Sequence, residues 1–544
     1  MLSREQRLEA VADLERLSRE RPGDASILNN LAVHIRALGD APRAIGFLKR
    51  AIALSPDQPA FHANLGNAYG ASGDIDGAID AYRAAYALDP ASPTAAIQLA
   101  GAQHRAKRLA DGLMVTADAL ALHPDHAGLH NAHGALLCAQ RHYEAALAHF
   151  RRAIALDPML GDAYANAALA SMQLGQNEAT VALIDDAVAR LGPSADLLAQ
   201  KGQSLVSLGR PEDGIACFDR ALALAPAHLD AQLGRARALF LIGDHARAWP
   251  AYAARWSRPE NKRPDVGIPF WRDEDPARHG VFVVNEQGLG DTINFCRYLP
   301  VLARRAARVA FACQAPLVDL LRTSFPGIRI VPAGKRPRDL EIAISLLDLP
   351  PMLGMAAPYW PGAPYLASNR PAPITLPAEG GKRVGLVWAG NPDHGNDRFR
   401  SLDLASLLFL AEDPRAQIVS LQKGPAAASR RTLGAEHLMR DASDRLYSFA
   451  DTAALVARLD LVITVDTAVA HLAGALGKPV WVLLPAAPDW RWGLTGDHTP
   501  WYPSMRLFRQ TVLGEWHAPL EALRAAWDEW LASSLWRRRS SSVT

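Results

Sequence analysis

Apolar positions in residues 1–257 are Ala- and Leu-rich and follow helical spacing, and the pattern repeats. Gly39, Gly73, Gly175, Gly209 and Gly243 fall on a 34-residue grid, with Lys107 and Arg141 at its two remaining positions. Helix-ending prolines keep the same step at Pro22, Pro56, Pro90, Pro124, Pro158 and Pro226, and Gly192-Pro193 slips by one. The period predicts seven helix pairs between residues 24 and 257, preceded by an amphipathic capping helix over 3–20. Residues 258–280 interrupt the pattern with Pro259, Pro264, Pro269 and Pro276 among alternating charges, which reads as a linker or docking segment. From Val281 the order becomes strand, turn, helix. Short β-branched runs at Val281–Val284, Val309–Ala312, Ile328–Val331 and Ile342–Ile344 predict a first parallel sheet. Val384–Trp388, Ile418–Leu421, Leu461–Val465 and Val480–Leu484 predict a second.

Composition narrows the class. Of 544 residues, 49% are hydrophobic and 21% charged, which excludes a largely disordered chain. Lys+Arg 58 against Asp+Glu 56 gives +2, so no basic field points to nucleic acid. Four scattered cysteines lack metal-ligand spacing. No apolar run reaches the roughly 18 residues of a membrane span, and the charged start lacks an apolar signal region, so the expectation is a cytoplasmic protein that is not integral to a membrane. All 13 tryptophans lie at or after Trp249, which separates the two halves again.

The 34-residue unit resembles the tetratricopeptide repeat. Its signature positions read Leu65, Gly66, Tyr69, Ala78, Tyr82, Ala85 and Pro90 in the second unit, and Gly134, Ala146, Phe150, Ala153 and Pro158 in the fourth. Small residues let paired helices approach, and the aromatic fills the space beside them. At one register of the first helices stand Asn30, Asn64, Gln98, Asn166 and Gln200, carboxamides able to donate to and accept from a passing peptide. An asparagine ladder there resembles the peptide groove of eukaryotic protein O-GlcNAc transferases; the alternative is a row of solvated polar positions.

In the second half, Gly288-Leu289-Gly290-Asp291 and Asp466-Thr467-Ala468-Val469-Ala470-His471 resemble the two signature loops of heptosyltransferase-like, family 9 glycosyltransferases, with Ala468 where that family usually has glycine. Repeats fused to such a domain resemble the alphaproteobacterial flagellin glycosyltransferases. The resemblance implies a tetratricopeptide superhelix (1–257), a linker (258–280), and an α/β GT-B domain. That domain has an acceptor-side Rossmann-like part (281–377) and a donor-binding part (378–535), with a tail at 536–544. It implies inverting, metal-independent transfer of a sugar, a nonulosonic acid such as pseudaminic acid, from a nucleotide-activated donor to Ser/Thr of a protein acceptor, flagellin, held by the repeats. The nucleotide-sugar is substrate, and no cofactor is expected. Two alternatives stand beside this: a transferase acting on a lipid-linked or lipopolysaccharide glycan, and a non-catalytic repeat scaffold.

The residues agree with transfer chemistry. Asp291, on a turn flanked by Gly288 and Gly290, is the candidate base, or else the cap of a helix starting at Thr292. Thr467 and the N–H groups from Ala468 onward open a helix after a strand, a site for an anionic leaving group. Asp466 holds sugar or ribose hydroxyls or caps that helix, and His471 faces the donor or packs in the core. The polar loop after Trp388 offers Asn391, Arg398 and Arg400 to the donor phosphate, with Lys423 as a weaker cation. His394, Asp393 and Asp397 complete no metal shell. Asp489-Trp490-Arg491-Trp492-Gly493 and Trp501-Tyr502 either stack on a base, close the cleft or pack on the final helix.

Overall fold

A computed structural model of the chain describes residues 2–258, 261–377 and 381–540. Pro259 of the expected linker and residues 541–544 of the expected tail lie outside the described residues. The first helix, Arg4–Glu20, opens with a capping box in which Ser3 N–H donates to Gln6 Oε1 at 2.8 Å and Gln6 N–H to Ser3 Oγ at 3.2 Å. Seven helix pairs follow, from Ala25–Ala37 with Ala41–Leu54 to Leu229–Leu241 with His245–Tyr252.

The reason for the small residues is visible in the packing. A Cβ built on Gly66 would meet the Tyr82 ring at 2.6 Å, on Gly134 the Phe150 ring at 2.7 Å, and on Gly234 the Phe218 ring at 2.5 Å. The grid glycines all have left-handed backbones, φ from +73° at Gly209 to +97° at Gly39, because each turns the chain between paired helices. Lys107 and Arg141 adopt the same conformation at φ +60° and +66°, so the turn persists where glycine is missing.

The α/β part contains two parallel sheets. In the first, β1 (Gly280–Val284), β2 (Arg308–Cys313), β3 (Arg329–Pro332) and β4 (Ile342–Ser345) run in the order β3-β2-β1-β4. The second holds β5 (Lys382–Val387), β6 (Ala416–Ser420), β7 (Met439–Asp441), β8 (Leu461–Val465), β9 (Val480–Leu484) and β10 (Met505–Arg509). Its order is β7-β6-β5-β8-β9-β10. Two strands are not predicted by the apolar runs: β7, only three residues long, and β10, an edge strand whose arginines interrupt its apolar run. Strand order reverses between β1 and β4 and between β5 and β8. Ligands of open α/β sheets bind at such switch points, beyond the carboxyl ends of the strands.

The end of the repeats near residue 257 is not where the compact units divide. The chain divides into two compact units between Ser204 and Leu205, so the seventh helix pair shares a unit with both sheets. Leu239, Phe240, Ala248 and Trp249 are buried in one cluster with Val281, Phe295, Leu299, Trp490 and Trp501. The proline-rich segment is also docked: Trp271 N–H donates to Ala343 O at 2.7 Å and Ala343 N–H to Pro269 O at 2.8 Å, alongside β4. The final helix runs His517–Ser540, further than the expected Leu531.

Lys107 and Arg141 supply a test. A left-handed backbone strains any side chain with a Cβ. Lys107→Gly and Arg141→Gly should therefore each stabilise the first unit by about 1 kcal/mol or less, read as a higher urea midpoint. A lower midpoint would show that packing of the two side chains outweighs the backbone term.

Candidate active site

The β1 strand ends at Val284, and the turn Asn285–Gly288 leads into a short helix, Leu289–Phe295. That helix begins three residues earlier than expected, and Gly288, not Asp291, occupies its N-cap. Asp291 sits in the first turn, where its Oδ2 accepts the Gly288 N–H at 2.9 Å. Its Oδ1 accepts a hydrogen bond from Arg491, which comes from the turn after β9 and also donates to Asp489 Oδ1 at 2.8 Å. Arg491 is buried, with its guanidinium over the rings of Trp490 at 4.5 Å and Phe295 at 5.3 Å. Burial raises the proton affinity of Asp291 above the ordinary carboxylate range; Asp489 and Glu286 add to this, while Arg491 and the Gly288 N–H oppose it. Glu286, which no sequence motif singles out, is held by Arg255 through Nε–Oε1 at 2.6 Å and Nη2–Oε2 at 3.0 Å. A lone acid after an apolar strand carried no signal of a partner 31 residues upstream.

The short helix lies against a second one, Ala468–Ala475, that follows β8. A Cβ on Gly290 would meet His471 Cδ2 at 2.9 Å and stand 3.6 Å from the Ala468 Cα. Gly290 is thus required by a close approach of helices, and alanine at 468 is small enough to allow it. His471 is buried in this seam: its Nδ1 bonds the Tyr502 hydroxyl at 3.0 Å, and its ring stacks on Trp492 at 5.1 Å. Burial, with Arg491 adding to it, lowers its pKa to about 3, so the ring is neutral at ordinary pH. His471 packs between the two α/β layers, the core alternative of its sequence reading.

Thr467 is the N-cap of the second helix, so Asp466 does not cap it. Thr467 Oγ1 instead lies 3.1 Å from Thr464 Oγ1. Burial raises Asp466 to about 6, helped by Asp489 and opposed by Arg400 and Arg491. Arg400 arrives from the loop after β5, largely buried, with Nε on Asp397 Oδ1 at 3.1 Å. Asn391 in that loop is exposed and accepts the Asp393 N–H at 3.2 Å. Arg398, also exposed, lies over the Phe399 ring at 4.6 Å. Lys423 is engaged elsewhere: its Nζ donates to the carbonyls of Ser443 and Leu446, 2.9 Å each, so its ammonium serves the chain beyond β6. The aromatic turn packs on the seventh repeat pair, not on the final helix, with Trp490 stacked on Phe240 at 4.2 Å. Among the described residues no group of three or more His, Cys, Asp or Glu could hold a metal ion.

Within the first unit, three amides of the register bond to the preceding helix pair. Asn64 Nδ2 donates to Asn29 Oδ1 at 2.8 Å, Asn166 Nδ2 to Asn131 Oδ1 at 3.0 Å, and Gln200 Nε2 to Ala165 O at 3.3 Å. Each bond joins one helix pair to the pair before it. Carboxamides suit this half-buried seam because one group can donate while its partner accepts, which two like charges could not do. Asn30 stands exposed and accepts from Asn29 at 3.3 Å, and Gln98 is half-buried.

Family models match in both halves. Tetratricopeptide repeat models cover residues 2–59, 59–92 and 200–261, and the glycosyltransferase family 9 (heptosyltransferase) model covers 446–511, the stretch holding Asp466, His471 and Arg491. The chain therefore carries tetratricopeptide repeats and a glycosyltransferase family 9 domain. It is 26% identical over 539 residues to Protein FlbA of Caulobacter vibrioides, covering 92% of this chain and 85% of that one. Among solved structures it is similar to a tetratricopeptide repeat protein from Parabacteroides merdae, with 17% identity, 40% of this chain, 87% of that one and a TM-score of 0.36. It is also similar to PilW, described as a type IV pilus biogenesis factor, with 20% identity, 38% and 96% coverage and a TM-score of 0.35.

Two measurements probe this geometry. Gly290→Ala should cost about 1–3 kcal/mol by overpacking, whereas Gly288→Ala, which meets only the Asp291 side chain at 3.2 Å, should cost less; equal urea midpoints would contradict the close approach. Asp466 gives a pH signature, since its folded state keeps a proton that the unfolded chain has lost. Stability should therefore fall as pH rises from about 4 to about 6. Asp466→Asn should remove that descent and gain up to about 3 kcal/mol at pH 7.5; an unchanged pH profile would show that Asp466 titrates normally.

Proposed function

We propose that the protein is a protein O-glycosyltransferase that moves a sugar from a nucleotide-activated donor to Ser or Thr of an acceptor recruited by the repeats. The observation that carries this reading is the bond of Arg491 to Asp291, together with the close approach of neighbouring Gly290 to the Ala468–Ala475 helix of the second layer. A base and an anion-binding helix tip are the two elements that an inverting displacement needs. Asp291 takes the proton of the acceptor hydroxyl as its oxygen attacks the anomeric carbon, and the bond from sugar to phosphate breaks with inversion. The N–H groups at Thr467–Ala468 and the Arg400 guanidinium offset the charge of the departing phosphate without a metal ion. Donor binding offers Arg491 a second anion. Its release leaves Asp291 buried beside Asp489 and Glu286, where the carboxylate holds a proton more strongly.

Asp466 is assigned to donor hydroxyls. Asn391 and Arg398 lie at the outer rim of the donor loop, and His471 shapes the seam from behind. The donor domain extends over residues 378–535 and the acceptor-side sheet over 281–377, in a GT-B arrangement. Resemblance of the fused architecture to flagellin glycosyltransferases favours flagellin as acceptor, pseudaminic acid or a related nonulosonic acid as sugar, and a cytoplasmic site of action. Exposed amides such as Asn30 remain candidates to hold the acceptor peptide.

The test is transfer from CMP-pseudaminic acid to purified flagellin, followed by intact mass. Asp291→Asn should lower transfer by about 10²–10⁴-fold, with unchanged acceptor binding and a similar unfolding midpoint. Full activity of that variant removes Asp291 from the mechanism, and transfer only to a lipid-linked glycan replaces the acceptor class.

A further inference from the structure

The turn that carries Asp291 is held from outside its own layer. Arg255, three residues beyond the last repeat helix, is 3% exposed. Besides its fork on Glu286, its NH2 donates to Asp348 Oδ1 at 2.6 Å and its NH1 to Tyr252 O at 3.2 Å. The guanidinium lies over the rings of Tyr252 at 4.7 Å and Trp256 at 4.5 Å. Arg263, from the connecting segment, stands 3.6 Å from the other Asp348 oxygen. Two cations, one from the end of the repeats and one from the connecting segment, thus meet two anions, one on the turn after β1 and one on the turn after β4. Those are the two turns at the switch point of the first sheet, and Ser345 Oγ ties them together by donating to Glu286.

The middle of the β1 turn needs such support. Gln287 is left-handed at φ +62°, a conformation a non-glycine residue holds only when its surroundings impose it. Its side-chain amide donates to the Tyr252 hydroxyl, on the last repeat helix, and its carbonyl accepts from Gln314 Nε2 at 3.2 Å. Only Gly288 separates Gln287 from the helix that carries Asp291.

We propose that Arg255 is a positioning residue for Asp291, acting through Glu286, and that the seventh repeat pair is thereby a structural part of the catalytic apparatus. This rests on Asp291 being the base. Removal of the seventh pair would abolish transfer even for an acceptor that never touches it. A lysine here keeps the charge but loses the fork that holds both Glu286 oxygens.

The experiment uses the full chain with Arg255→Lys, Glu286→Gln as a second route to the same loss, and Arg247→Ala as an exposed control on the same helix pair. Two readouts are combined: hydrogen–deuterium exchange of peptides covering 285–295, and steady-state transfer from CMP-pseudaminic acid to flagellin. Either loop variant should exchange at least about tenfold faster over 285–291, with kcat lowered by about 10²-fold and both KM values within about twofold. Arg247→Ala should change neither. Wild-type exchange over 285–291 in a folded Arg255→Lys or Glu286→Gln protein overturns the proposal, as does a rise in KM with kcat unchanged. If wild type transfers nothing while both variants exchange faster, the assigned donor and acceptor fail and the brace of the turn stands.

Discussion

The missing side chain at Gly290 is the constraint on which the arrangement of the α/β layers depends. Two helices, each following a strand at the switch point of its own sheet, touch where a Cβ would enter the His471 ring. That contact brings the Asp291 turn next to the Thr467 helix tip. Everything beneath it is packed to hold the same distance. Asn294 and His471 meet at the Tyr502 hydroxyl, and Tyr365 joins them. Arg297, fully buried, donates to the carbonyls of Asn294, Tyr359 and Trp501 and to the Tyr365 hydroxyl. No carboxylate pairs with it among the described residues. Carbonyl oxygens and aromatic faces solvate the cation, so it binds the two layers together without adding an acid that would compete for Arg491.

The charges above that floor are arranged for imbalance. Asp291, Asp489 and Asp466 all interact with Arg491, and Asp466 with Arg400 as well. Asp489 is held below the ordinary range, with Arg491 the chief opponent of its burial, while Asp291 and Asp466 are pushed up. Buried carboxylates that differ in proton affinity are suited to different tasks, one remaining an anion and another exchanging a proton.

The repeats were legible because each of their signals is local. Grid glycines, stop prolines and the small-residue and aromatic pairs each follow from the backbone or packing of one helix pair. The strands of the two sheets were legible where they were buried runs, and the loops at Asp291 and Asp466 were legible because they follow such strands. What depends on distant partners was not. Asp291 reads as a base or a cap, and nothing near it in sequence shows that Arg491, 200 residues away, shares its carboxylate. Lys423 reads as a free cation until two carbonyls are found on its ammonium. The amides at Asn64 and Asn166 read as a groove lining, although the bond each makes lies one repeat back, at a spacing that periodicity alone treats as equivalent.

The same distinction explains why the seventh helix pair belongs to the compact unit of the sheets. Prolines and alternating charges between residues 258 and 280 are the grammar of a spacer, and a spacer implies that the halves on either side fold independently. Yet Phe240 and Trp249 present an apolar face that the sheets complete, and Trp249 Nε1 donates to Ala356 O at 2.8 Å across 107 residues. Arg255 adds a buried charge whose carboxylate partners, Glu286 and Asp348, lie on the far side of the segment. A buried guanidinium separated from its carboxylates leaves uncompensated charge on both sides, which is more destabilising than the exposure of apolar surface alone. The seventh pair is therefore a repeat by its period and part of the α/β unit by its energetics.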